Sequence, residues 1–387
     1  MDAADRIERR RRRDLVRRRR TRLAAAALAA LAAGLVAGAL GGDDPPPDRR
    51  APSETAGEPA PRETAPVDRL TLRQQVGRMV ILRFAGTSAP GYVRRVLREG
   101  RAAGVILFRD NVVSPEQLEA LTAQLRRAGS PLICVDQEGG EIRIVPWAPP
   151  ERSAPEQAAA GAARADALAA GRELRAAGIG VTLAPVADVP SVDGAALGGR
   201  AFSDDPAQAA GAVAESVRGW HDAGLATTVK HFPGLGGATV NTDDGPATVE
   251  RTREELEADL EPFRAAIDDG TEFVMAGHAT YPALDPDRIA SHSPAVIDGL
   301  LREELGFEGV VMTDSLEAAA VQAVADVEEA AIASARAGVD VILTTGRGSY
   351  IRVFRALLAE ARSDPEFRRR VRASAARVLA AQSSTDG

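Results

Sequence analysis

The chain reads as a (β/α)8 TIM barrel, an α/β fold, and three observations predict it. From residue 71 onward, short apolar β-rich runs alternate with Ala/Glu/Arg-rich stretches patterned at helical spacing. Eight such pairs fit within about 310 residues, the length such a barrel needs. Asp136, Asp188, Lys230, His231, His278 and Asp314 all fall at the C-terminal ends of predicted strands, the rim on which barrel enzymes carry their chemistry. An aspartate at a strand end also caps a following helix, which accounts for one such residue better than for six together. A doubly wound open sheet is the alternative arrangement, but no G-x-G-x-x-G follows the first predicted strand.

Taken in order, residues 1–22 hold eleven arginines against four acids, and residues 23–42 are an uncharged run of Ala, Leu, Gly and Val. Twenty apolar residues span a bilayer, and positive charge before them keeps the N-terminus cytoplasmic and sends the rest across. A transmembrane signal anchor or a signal peptide is expected. Ala37-Gly38-Ala39 offers a small-residue cleavage site, although the run exceeds the usual signal-peptide core of about 7–15 residues. Residues 43–68, rich in Pro, Glu, Ala and Thr, form an expected disordered linker. The catalytic domain, 69–387, is then extracellular and held at the cell membrane, or secreted if the apolar segment is cleaved.

Within that domain strands are expected at 79–84, 104–108, 132–136, 181–188, 227–231, 273–278, 310–314 and 339–344. Helices are expected at 115–128, 156–177, 206–223, 252–269, 294–305 and 316–337. The net charge of −7 becomes −14 once the +7 of residues 1–22 is set aside, and an acidic domain does not suit nucleic acid. The one cysteine, Cys134, sits in an apolar run, so no internal disulfide forms and a buried role is expected.

Carboxylates and hydrogen-bond donors dominate the rim. No H-E-x-x-H and no cysteine cluster is present, so neither a metal nor another cofactor is expected. Ser315 beside Asp314 allows a Ser-His-Asp reading, but the G-x-S-x-G elbow is missing. Paired carboxylates suit glycoside hydrolysis, in which one attacks the anomeric carbon and a second group protonates the leaving oxygen. Asp314 is the candidate nucleophile, held by the apolar run Gly309-Val310-Val311-Met312-Thr313. Asp243 and Asp244, in the loop 234–246, are candidate proton donors or, alternatively, solvated acids of a surface turn. The three glycines at 234, 236 and 237 predict a mobile loop. Lys230 is the only lysine among 48 basic residues, and a lysine kept where arginine is otherwise universal points to a pocket without room for a planar fork.

Five stretches carry a resemblance to the family 3 glycoside hydrolases, in particular the single-barrel β-N-acetylhexosaminidases: Gly104–Phe108, Val135–Gly140, Leu197–Ser203, Lys230–Gly234 and Gly306–Asp314. The resemblance implies a retaining hydrolase that releases terminal β-linked N-acetylglucosamine through a covalent intermediate, with Asp314 as nucleophile. It also implies that Asp136, Arg200, Lys230 and His231 bind sugar hydroxyls; Arg200 as a structural ion-pair partner is the alternative. The implied partners are a carbohydrate and, through residues 23–42, a membrane, for a chain acting as a monomer.

The chain departs from the family pattern twice. Where relatives carry Asp-Ser/Thr-His, with the histidine as acid/base, this chain has Asn241-Thr242-Asp243, so Asp243 takes the histidine's place with Asp244 beside it. Like-charge repulsion between adjacent acids raises one pKa, as a general acid requires. Ile144 stands where relatives have an arginine, and Arg143, one residue away, points to the other face of an extended segment. A β-glycosidase of other specificity, a phosphorylase and a membrane-tethered sugar-binding barrel are the competing readings.

Overall fold

The structure is a computed structural model that describes residues 65–385. The basic segment, the apolar run expected to anchor the chain and most of the linker lie outside the described residues; among those described, no helix is long and apolar enough to cross a membrane. Order begins slightly earlier than the linker expectation. Pro66–Arg69 is a helical turn that buries Val67, while Asp68 pairs with Arg372 at 2.6 Å.

Eight parallel strands form the sheet: β1 (Val80–Arg83), β2 (Gly104–Ile106), β3 (Leu132–Val135), β4 (Val181–Thr182), β5 (Ala226–Phe232), β6 (Phe273–Ala276), β7 (Val310–Thr313) and β8 (Ile342–Thr344). Each pairs with its sequence neighbour, and β1 also pairs with β8. A bridge between Met312 and Val341 joins the two remaining edges, so the barrel is nearly closed. All eight expected strands are present, most of them shorter than expected because their terminal residues leave the ladder for the rim loops.

Side chains alternate across each strand. Ile81 of β1 packs inside the barrel with Cys134, Val181, Phe273 and Met312, while Val80 and Leu82 join the layer between barrel and helices. Cys134 is thus a buried interior residue whose thiol is pushed up by burial. The C-terminal helix, Pro365–Thr385, plugs the N-terminal end of the barrel, with Val378 in the interior cluster and Gln382 bonded to the Ala103 and Ser130 carbonyls.

Three expected helices are each two. The stretch 156–177 divides into Ala154–Ala159 and Ala163–Ala176 at Gly161, whose φ of 59° a helix interior does not accept. Pro262 opens a second helix, Glu261–Asp268, because it has no N–H to continue the first. Asp326 caps Val327–Ala337 by accepting from the Glu328 and Glu329 N–H groups. These breaks fall outside the barrel wall and leave the rim residues in place.

Candidate active site

The strands deliver their reactive side chains into one open cavity of ≈ 360 Å³ at the C-terminal end of the barrel. Asp136, Arg200, Lys230, His231, Asp243 and Asp314 all line it. Asp244, the second acid of the loop, is exposed and does not line it. His278 is fully buried behind the site, bonded to the Ser291 hydroxyl and the Ser315 carbonyl.

One wall is an ionic chain. Lys230 Nζ lies 2.5 Å from Asp136 Oδ1 and 2.6 Å from Glu138 Oε1, with only 2% of its side chain exposed. Glu138 in turn accepts both N–H groups of the Arg200 fork, at 2.8 and 2.7 Å. Burial opposes the charge on Glu138, but Lys230 and Arg200 outweigh it and hold the carboxyl below its usual range. Lys230 is held above its usual range because Asp136 and Glu138 overcome the cost of burying the ammonium. An ammonium has three protons; two carboxylates engage two of them, leaving one donor for a ligand.

The second wall centres on His231, whose Nδ1 is 2.7 Å from Asp188 Oδ2. Asp188 is buried and also accepts the backbone N–H groups of His231 and Leu235 at 3.2 and 2.7 Å. Burial pushes its carboxyl up, but His231 and these hydrogen bonds win, so it stays ionised. An ionised carboxylate only accepts, so the shared proton sits on His231 Nδ1. The other ring nitrogen, Nε2, faces Asp314 Oδ2 at 3.8 Å.

Asp314 follows β7 and is fixed from both sides. Its N–H donates to the Ala276 carbonyl at 3.0 Å, and its Oδ1 accepts from the Ser315 N–H at 2.7 Å. Burial raises its pKa, yet His231, His278, Ser315 and Lys230 together bring it below the ordinary aspartate value. Asp243 moves the other way. Although Asp243 is exposed at the rim, partial desolvation of its carboxyl in the cavity and the nearby charge of Asp314 raise its pKa, with Asp244 contributing least among the named causes. The like-charge partner that matters most is therefore Asp314 across the cavity.

The loop 234–246 is packed, contrary to the mobility expected from its glycines. A side chain on Gly236 would lie 1.8 Å from the Val189 carbonyl oxygen, and one on Gly237 would lie 2.8 Å from Val249. Ser191 N–H donates to Gly236 O, and Ala196 N–H to Ala238 O. The loop's far end is pinned by Ala320 N–H to Thr242 O and Ala319 N–H to Asp243 O, at 3.0 and 3.3 Å. The glycines permit close approach, and the Asp243 backbone is tied to the segment that follows Asp314.

Sequence reasoning assigned no role to Glu138 or Asp188. Glu138 lies two residues from Asp136 on an extended segment, hence on the same face, a signal that was present. Asp188 was visible as a strand-end acid, but its partner is 43 residues away. Arg143 donates to the Gly140 carbonyl at 3.1 Å and does not line the cavity, whereas Ile144 does.

Residues 71–381 match the glycosyl hydrolase family 3 N-terminal domain. The chain belongs to glycosyl hydrolase family 3. It is accordingly a glycosidase. A β-hexosaminidase of Stenotrophomonas maltophilia is 39% identical over 279 residues, covering 68% of this chain and 82% of that protein. The structure of a family 3 β-N-acetylglucosaminidase from Paenibacillus sp. superposes with a TM-score of 0.78 at 36% identity, covering 82% of this chain and 63% of that one. A β-N-acetylhexosaminidase from Beutenbergia cavernae superposes with a TM-score of 0.75 at 33% identity, covering 81% of this chain and 99% of that one. In that relative, the barrel is essentially the whole folded chain.

Proposed function

We propose that this domain is a retaining β-N-acetylhexosaminidase that removes terminal β-linked N-acetylglucosamine from cell-wall-type glycans through a covalent glycosyl intermediate. The observation that carries the reading is the opposed tuning of two cavity carboxyls: Asp314 held low and Asp243 pushed high. An ionised Asp314 attacks the anomeric carbon while a protonated Asp243 gives its proton to the leaving oxygen; Asp243 then deprotonates the water that releases the sugar. Asp136, Lys230, Arg200 and His231 Nε2 line the cavity as the hydroxyl-binding groups. The relatives named above, acting on β-linked N-acetylhexosamine by their names, support the choice of sugar.

Hydrolysis is preferred to phosphorolysis because both cations of the cavity wall, Lys230 and Arg200, are already engaged by carboxylates. We further propose that the domain acts outside the cytoplasm, delivered by residues 1–42 and spaced from the membrane by the linker. The test is the rate of cleavage of an activated β-N-acetylglucosaminide beside the matching glucoside, with and without phosphate. Selective, phosphate-independent hydrolysis, lost on the order of 10³-fold or more in Asp314→Asn, is expected. Equal rates on both sugars would remove the assigned specificity, and an unaffected Asp314→Asn would remove the mechanism.

A further inference from the structure

We propose that the outer wall of the barrel beside its first helix docks onto a bilayer rich in anionic phospholipid. Two grooves on that wall each draw about half of their lining residues from arginine. Arg94, Arg95, Arg98 and Arg127 line the first, between helices Gly91–Arg98 and Pro115–Arg126. Arg73, Arg101, Arg355 and Arg362 line the second, against helix Ser349–Ser363. The grooves adjoin, since the short segment from Arg98 to Arg101 supplies a residue to each.

No carboxylate lines either groove. Glu99 lies between them and pairs with Arg101 at 2.5 Å, whereas none of the four guanidinium groups of the first groove has an acid partner among the described residues. This is anomalous in a chain whose residues beyond 22 carry a net charge of −14 (the total of −7 less the +7 of residues 1–22). Elsewhere on the surface, arginines such as Arg152, Arg352 and Arg372 are paired with acids. Unpaired guanidinium groups gathered on one face are the complement of a surface dense in phosphate.

Two further features favour a lipid surface over a soluble polyanion. Tyr92 is 53% exposed on the same helix as Arg94, Arg95 and Arg98, and Ile351 is 37% exposed in the second groove. An aromatic ring with a polar tip beside basic side chains is the composition that settles at the headgroup level. The described chain begins at Ala65, and the first helix, Leu72–Gly77, carries Arg73 into the second groove. Docking there is independent of the sugar specificity.

The experiment uses residues 63–387, a compact unit of the fold whose Beutenbergia counterpart folds as an almost complete chain. Co-sedimentation is measured with vesicles of phosphatidylglycerol in phosphatidylcholine, with phosphatidylcholine alone, and with inorganic polyphosphate in solution. Binding to the anionic vesicles alone, weakened in high salt, is expected. Each arginine held at an anionic bilayer contributes roughly fivefold to partitioning, so the triple variant Arg94→Gln, Arg95→Gln, Arg98→Gln should lose about a hundredfold. Its glycosidase rate should be unchanged, which also reports that it folds. Should that variant fail to fold, Arg73→Gln with Arg355→Gln tests the second groove, with roughly a 25-fold loss expected. Tighter binding to polyphosphate than to vesicles, equal binding to neutral vesicles, or full retention by the folded variants would overturn the proposal.

Discussion

Replacing Lys230 with methionine keeps an unbranched side chain, one atom shorter, and removes its charge. In the native site, Lys230 Nζ is within 2.6 Å of two carboxylates, and Glu138 is 4% exposed. At an effective dielectric near 20, unit charges about 3 Å apart attract by about 5–6 kcal/mol, partly offset by the several kcal/mol of desolvating the ammonium. Removing one member of a buried pair costs about 3–5 kcal/mol. The lower end applies here, because Glu138 keeps Arg200 and Asp136 is 22% exposed to water. With an unfolding entropy of about 2.1 cal/mol/K per residue over roughly 320 residues, a loss of ~3 kcal/mol lowers the thermal midpoint by about 4–5 °C.

The pH dependence of that deficit gives a second, independent check. Against burial, Lys230 and Arg200 depress the folded pKa of Glu138, so its stabilising contribution is complete above the unfolded value of about 4.5 and is lost as pH falls through the folded value. As the pH falls from about 4.5 towards about 2 the native ion pair loses this advantage, whereas methionine has no charge to strand. Thermal unfolding of both proteins from pH 7 to pH 3 should therefore show a gap that narrows on acidification. Equal midpoints at pH 7, or a gap that widens at low pH, would refute the reasoning.

Three other outcomes follow from the same geometry. Asp188→Asn removes the acceptor that fixes the proton on His231 Nδ1 and loosens the turn through Leu235; kcat/KM should fall about a hundredfold, and a small loss would show that the ring is held by other contacts. The rate of hydrolysis should fall on the acid side as Asp314 is protonated, below the ordinary aspartate value, and on the alkaline side as Asp243 ionises above it. Asp243→Asn should abolish the alkaline limb, and its survival would assign the proton to another group. Gly236→Ala puts a methyl group 1.8 Å from the Val189 oxygen, so the loop must shift; activity should drop tenfold or more while urea unfolding shows only a local loss of stability, and a fully active variant would mean that the loop is looser than its contacts indicate.

Much of this fold was legible because the strands are short, mostly apolar runs, several of them closely followed by a charged or polar side chain, the pattern of a parallel sheet buried on both faces. Helix boundaries were less so: the breaks at Gly161 and Pro262 come from single residues that a periodic pattern averages over. Lys230 stood out by composition, yet its two carboxylate neighbours are separated from it by more than ninety residues, and only closure of the barrel brings them together. The loop glycines were open to two readings, freedom or close approach, and the Val189 carbonyl beneath Gly236 decides for the second. Asp243 was found as a misfit in a motif, but its strongest charged neighbour, Asp314, was not its sequence neighbour.

The division of labour between Asp314 and Asp243 is tested most directly by intact-mass analysis of Asp243→Asn mixed with a β-N-acetylglucosaminide bearing a good leaving group. Such a substrate needs no proton for the first step, whereas the second step lacks its base, so the glycosyl-enzyme should accumulate after a burst of one equivalent. A mass increase of one N-acetylhexosamine residue on the peptide containing Asp314 is the predicted result. Undiminished steady turnover with no adduct, or an adduct on any other residue, would contradict it.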